Sequence, residues 1–287
     1  MKRLQEGGSQ NIMIQTMEMM EQEKRKLKPI MVVLPVIAFL ILVGWWYLTP
    51  PGLLGKADAI GYAICHRIPE RSFWLFGRQM PLCARCSGMQ LGALMGMVYL
   101  FSRGRDGKIP PLKISLVLAI FFIAFAIDGI NSFLNLFSAD PIFYPSNNIL
   151  RLITGTGMGI AMAAVTVPIF NQTMWSNWVN EPSLPSFRIL SVLLVLASIV
   201  VLGMLSDISL ILFPLALLSA ANVLLLLTIV YSILVVILIK KENHYHSIKE
   251  LWVILLCGFI LAILQISAMD FIRFYLTGSW AGFTFIQ

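Results

Sequence analysis

Residues 209–239 read SLILFPLALLSAANVLLLLTIVYSILVVILI, a run without one Asp, Glu, Lys or Arg. A bilayer core about 30 Å thick takes roughly 20 helical residues to cross. The stretch reads as a membrane span, too long for one untilted crossing unless Pro214 kinks it or marks its start. The same criterion, applied outward, finds six further runs near residues 30–49, 86–101, 114–135, 149–170, 189–206 and 251–271. The expected fold class is therefore all-α, a polytopic integral-membrane helical bundle of about seven transmembrane helices.

Composition points the same way. The chain is 58% hydrophobic and 12% charged, where soluble proteins carry about 25% charged residues. Its net charge of +7 does not signal nucleic acid, because the basic residues sit in loops between apolar runs and form no aromatic-bearing basic patch. Their distribution sets an orientation instead. With the N-terminus inside, fourteen of the 21 Lys and Arg fall in cytoplasmic segments, as the positive-inside bias requires. A plasma-membrane protein with a cytoplasmic N-terminus and an outer C-terminus is the expectation. The first apolar run has no small-residue cleavage site, so it reads as a retained anchor.

The chain divides into a cytoplasmic extension (1–29), a four-helix membrane half (30–170) with an outer loop (50–86), a connector (171–188) and a three-helix half (189–287). Met13, Met17 and Met20 give the extension helical spacing. Trp175 and Trp178 mark the connector as interfacial. In the second and fourth spans Gly88, Gly92 and Gly96, and Gly155, Gly159 and Ala163, recur every four residues. Small residues at that spacing let backbones approach closely, so these two spans form the expected tight pair.

Chemistry concentrates in the outer loop. Cys65-His66 precedes Cys83-Ala84-Arg85-Cys86, so three of the four cysteines share one short segment. Cys-x-x-Cys brings two sulfurs within reach of one metal or of each other, and Cys65 and His66 supply further ligands. Cys65, His66, Cys83 and Cys86 are thus a candidate zinc set, with His66 the weakest member. Two alternatives stand beside it. Cys83 and Cys86 form the pair of a thiol–disulfide oxidoreductase that Cys65 resolves, or the loop holds one structural disulfide and a spare thiol. Arg67, Arg71 and Arg85 offer docking to an anionic lipid or a small anionic substrate.

Within the third span Asp128, Asn131 and Asn135 fall on one helix face. Arg151 and Thr154 open the fourth. A carboxylate inside a bilayer suggests a function with a partner nearby, and these five residues are read as one polar intramembrane site below the Cys loop. As a structural ion pair Asp128 and Arg151 only hold helices together; as a working site they would serve a transporter or channel. Gln90, Asn222 and Gln265 read as interhelical amides.

The runs Cys65-His66-Arg67-Ile68-Pro69-Glu70-Arg71-Ser72-Phe73, Pro81-Leu82-Cys83-Ala84-Arg85-Cys86-Ser87-Gly88, Asp128-Gly129 and Arg151-Leu152-Ile153-Thr154-Gly155 resemble a bacterial and archaeal family, the domain of unknown function numbered 2085. Ser87 and Asn131 stand where that family usually has Thr and Gln. The resemblance covers roughly residues 55–165 and implies a multi-pass membrane protein without an assigned activity.

Overall fold

A computed structural model describes residues 32–137 and 141–282. The Met-bearing N-terminal extension lies outside them. Among the described residues there are eight α-helices: α1 (Val32–Leu48), α2 (Leu53–Ile64), α3 (Ala84–Ser102), α4 (Leu112–Leu134), α5 (Asn148–Met174), α6 (Phe187–Leu205), α7 (Ser209–Leu238) and α8 (Ile248–Thr277). Two small sheets complete the fold: an antiparallel hairpin, β1 (Trp74–Leu75) with β2 (Arg78–Gln79), and a parallel pair, β3 (Asp106–Lys108) with β4 (Val179–Pro182).

The expected count of seven spans is corrected. Five helices, α4 to α8, are long and apolar enough to cross a membrane, and α1 with α2 makes a sixth if that bent pair is one span. The third helix has 19 residues, but Arg85, Ser87, Gln90 and its three glycines dilute its hydropathy. The first run does not lead into an open loop. Pro50 and Pro51 stop α1, since proline has no N–H to donate and clashes with the preceding turn. Gly52, at φ 78, then turns the chain by 100° into α2. The seventh helix runs unbroken across Pro214.

The third and fifth helices pack backbone to backbone. A Cβ at Gly88 or Gly92 would strike the Leu152 and Thr156 carbonyls, and one at Gly155 or Gly159 would strike those of Arg85 and Met89. Glycine on both faces is what permits this contact. Asn222 of α7 donates from Nδ2 to the Gln90 side chain at 2.7 Å and to the Gln90 carbonyl at 2.9 Å. The main apolar cluster draws Met97, Ile160, Leu193, Leu226 and Ile254 from five helices.

The helix ends gather in two groups. One end carries β3 and β4, a Trp175–Tyr245 bridge and Arg105, whose guanidinium lies 3.9 Å from the Trp175 ring. Trp175 is buried there, not laid at an interface. The opposite end carries α2, the hairpin, the start of α3 and α5, and the close of α4 and α8. It holds every residue discussed next.

Candidate functional site

Two close contacts bring the cysteines together. The second helix ends at Cys65, and Gly61 one turn earlier lets the Pro81 carbonyl press onto its backbone. That contact seats Pro81-Leu82-Cys83 against the end of α2, and Cys83 then caps the start of α3. The Cys83 N–H points at the Cys65 sulfur, 3.4 Å away. Around them close Trp45, Ala57, Ile60, Val223 and Ile266.

The ligand atoms of Cys65, His66 and Cys83 all lie within 4.8 Å of one another. His66 Nδ1 is 3.8 Å from Cys65 Sγ. The Cys86 thiol also hydrogen-bonds Cys65 but stands outside that closest trio. All four cysteines are unbridged. Hydrogen bonds from the Cys83 and Cys86 thiols hold Cys65 well below its ordinary pKa, against burial that opposes them. The Cys83 thiol is pushed up to about 12, first because it donates to Cys65. The cluster therefore biases Cys65 toward thiolate, with two thiols and an imidazole beside it and a helix N-terminus behind it, where the macrodipole favours negative charge.

Arginines frame the cluster from three sides. Arg273, near the end of α8, donates through Nη1 to the carbonyls of Tyr62 and Cys65 at 2.6 Å each and through Nη2 to that of His66 at 3.3 Å. Its guanidinium lies 4.0 Å from the Tyr62 ring. Arg67, in the left-handed region at φ 50, pairs with Asp58 at 3.0 Å, and Arg78 shares that carboxylate. Gln79 Nε2 donates to the Arg67 carbonyl at 2.8 Å.

The third side leads into the polar site. Arg85, between the two cysteines of Cys-x-x-Cys, donates from Nε to Asp128 at 2.9 Å and from Nη2 to Ser132 Oγ at 2.7 Å. Gly129 leaves space beside the guanidinium. Asp128 accepts also from the Tyr144 hydroxyl at 3.1 Å. Arg151 does not reach Asp128. It donates to Ser132 Oγ at 3.3 Å and to Asn148 at 2.8 Å, while Arg71 donates to the Ser132 carbonyl at 2.6 Å. Asn131 and Asn135 both donate to the Tyr144 carbonyl, at 3.0 and 3.1 Å. Thr154 stays apart, bonding the Leu150 and Arg151 carbonyls of its own helix.

The structure brings Cys65, His66 and Cys83 together, and it pairs Asp128 with Arg85 where Arg151 was expected. The i, i+3, i+7 face was right, and Ser132 at i+4 from Asp128 belongs to it. Of the proposed anion-docking residues, Arg67 and Arg85 already hold carboxylates and Arg71 holds a carbonyl. Asp58, Tyr144 and Arg273 went unnoticed as site residues.

The family described as a predicted membrane protein (DUF2085) matches residues 65–165. That interval opens on Cys65 and ends inside α5, so it contains the cluster and the Asp128–Arg151 site and leaves α6 to α8 outside. Two archaeal proteins, both named only as uncharacterized, are similar to the chain. One, from Methanocaldococcus jannaschii, is 36% identical over 121 residues, 42% of this chain and 72% of that protein. The other, from Methanothermobacter thermautotrophicus, is 35% identical over 107 residues, 36% of this chain and 84% of that protein. No solved structure matches.

Proposed function

The chain belongs to the DUF2085 family of predicted membrane proteins, and from that premise we propose that it holds a metal ion, zinc by the softness of its donors, at Cys65, His66, Cys83 and Cys86. The observation carrying the proposal is the convergence of two thiols and an imidazole within 4.8 Å, with Cys86 hydrogen-bonded to Cys65. Tetrahedral zinc with sulfur at about 2.3 Å and nitrogen at about 2.0 Å sets its ligand atoms roughly 3.5 to 3.8 Å apart. The donor chemistry fits: three thiols, one already biased to thiolate, beside an imidazole. The ion would supply charge to hold the thiolates deprotonated. The chain's own contribution is to fix the geometry, through Arg273 on the backbone of Tyr62, Cys65 and His66 and through Arg85 on Asp128.

A second reading is thiol–disulfide exchange among the same residues. It rests on the bias of Cys65 toward thiolate with two thiols as its neighbours. A transporter or channel role for Asp128 and Arg151 is weakened by saturation of Asp128, which Arg85 and Tyr144 already satisfy. We place the cluster on the outer face of the plasma membrane, by the distribution of Lys and Arg.

Elemental analysis of purified full-length protein, with thiol counting on the same sample, tests the proposal. About one zinc per chain, falling when Cys65 is replaced by Ser, is the expected result. A metal-free protein whose two-thiol disulfide is passed on to a reduced dithiol added in solution would instead establish exchange, and one that keeps it would establish a structural bridge.

A further inference from the structure

We propose that the cleft between the first and last helices binds an organic ammonium group carried on an apolar body, with Asp270 as its counter-ion. The cavity there has a volume of about 430 Å³ and is lined by Gly44, Trp45 and Leu48 on α1 and Leu264, Asp270 and Phe274 on α8. The Asp270 side chain is buried, and Trp45 Nε1 donates to its Oδ2 at 3.3 Å. Its Oδ1 has no hydrogen-bond partner among the described residues. A carboxylate left half satisfied in an apolar wall is costly, and a residue of this kind in a membrane helix is by default functional.

The chemistry of the walls says which ligand suits it. Trp45, Phe274 and Trp280 line the cavity, and the last two rings are 5.5 Å apart. Aromatic faces attract cations, most strongly for ammonium groups shielded from water. The two nearest cations among the described residues, Lys56 at 5.9 Å from the Trp45 ring and Arg273 one turn beyond Asp270, are each anchored on backbone carbonyls. Lys56 spends its ammonium on the Trp46 and Thr49 carbonyls and on Thr49 Oγ1, and Arg273 engages the carbonyls of Tyr62, Cys65 and His66. A guest without a donor would leave Oδ1 as it is, a neutral donor would leave its charge uncompensated, and an anion would be repelled.

Depth fits a ligand arriving from the bilayer. Thirty residues of α8 make a helix of about 45 Å, some 15 Å longer than the hydrocarbon core. Asp270 lies two turns before the end of α8, so it stands close to the boundary between headgroups and acyl chains. An amine-bearing lipid headgroup or a freely diffusing lipophilic amine presents the same group at that level.

The test is calorimetric titration of the full chain in maltoside micelles with dodecylammonium, whose three N–H groups can donate to Oδ1, and with dodecanol as the uncharged counterpart. Saturable binding of the cation, about tenfold or more tighter than the alcohol, is expected. Asp270→Asn should abolish that preference. Gly44→Leu should remove binding of both, because a Cβ at Gly44 meets nothing within 4 Å and the side chain can fill the cleft without disturbing the backbone. This second variant decides the matter if Asp270→Asn fails to fold. Displacement of the probe by phosphatidylethanolamine, and not by phosphatidylglycerol, identifies a lipid headgroup as the source; resistance to both identifies a free amine. Equal affinity for cation and alcohol, or undiminished cation binding in Asp270→Asn or Gly44→Leu, would overturn the proposal.

Discussion

Cys65 accepts hydrogen bonds from two thiols and turns its sulfur to one backbone N–H, whereas Cys83 donates through its thiol and so keeps its proton, and the two are displaced in opposite directions. The signs matter for stability. Cys65 titrates below the ordinary thiol value of 9.0, so its contribution is complete above that value and drains away as pH falls through the folded pKa. Cys83, pushed up to about 12, contributes fully below the ordinary value and loses its share as pH rises through 12 or so. Metal-free protein should therefore melt highest near about pH 9, with lower midpoints at about pH 6 and about pH 11. Cys65→Ser should flatten the acid side of that profile, and an unchanged profile in the variant would remove Cys65 as its cause. A second expectation concerns Arg85. Asp128→Asn takes the charge from a bond worth about 1.5 to 3 kcal/mol and loosens the residue between the two cysteines. Zinc content should fall further than the yield of folded protein; parallel losses would mark a structural pair only. The cysteine spacing was legible in the sequence because local spacing sets which sulfurs meet. The choice between Arg85 and Arg151 was not, since it depends on which face of α3 the glycines turn toward α5.

At the scale of elements, the glycine faces of α3 and α5 fix the position of the Cys-x-x-Cys. Gly155 packs on the Arg85 carbonyl, so the residue that grips Asp128 is held from behind as well. Gly155→Ala should destabilise the protein by about 1 to 3 kcal/mol, the range for overpacking a close contact, and lower its melting temperature. Gly44→Ala, facing open space, should leave it within about 0.5 kcal/mol. Helix propensity alone favours alanine at both positions, so a Gly155→Ala variant no less stable than Gly44→Ala would mean that the backbone contact does not constrain this site. The four-residue glycine period was readable from the sequence, and it named the right pair. The second helix was not. Its twelve residues are too few to span, and Lys56 and Asp58 inside it look like loop residues until their partners, Thr49 and Arg67, are in place.

Across the whole molecule, the last helix returns to the cluster. Arg273 holds the Cys65 carbonyl, and the Trp280 ring lies 5.0 Å from that of Tyr62, so the end of α8 and the Cys loop share one face. A reporter fused after Gln287 and a membrane-impermeant thiol reagent should consequently read the same side, the outside. Opposite readings would break this pairing, and a shared cytoplasmic reading would invert the orientation. Each of the seven apolar runs lies on a helix, because burial in lipid needs only length and hydropathy. They did not announce that the first run bends into α2 or that α3 is the least apolar of the set. Contacts such as Trp45–Asp270 join residues 225 positions apart, and nothing local encodes them.

The Arg273 contact also sets a clock on assembly. The guanidinium and the Cys65 carbonyl it grips are 208 residues apart, and a ribosome adding about 5 to 20 residues per second takes roughly 10 to 40 s to cover that distance. Throughout that interval the newborn thiols have left the synthesis machinery while their last fastening is still being made. Whichever reaches them first during this open period, an ion or an oxidant, meets a loop that the finished protein no longer presents.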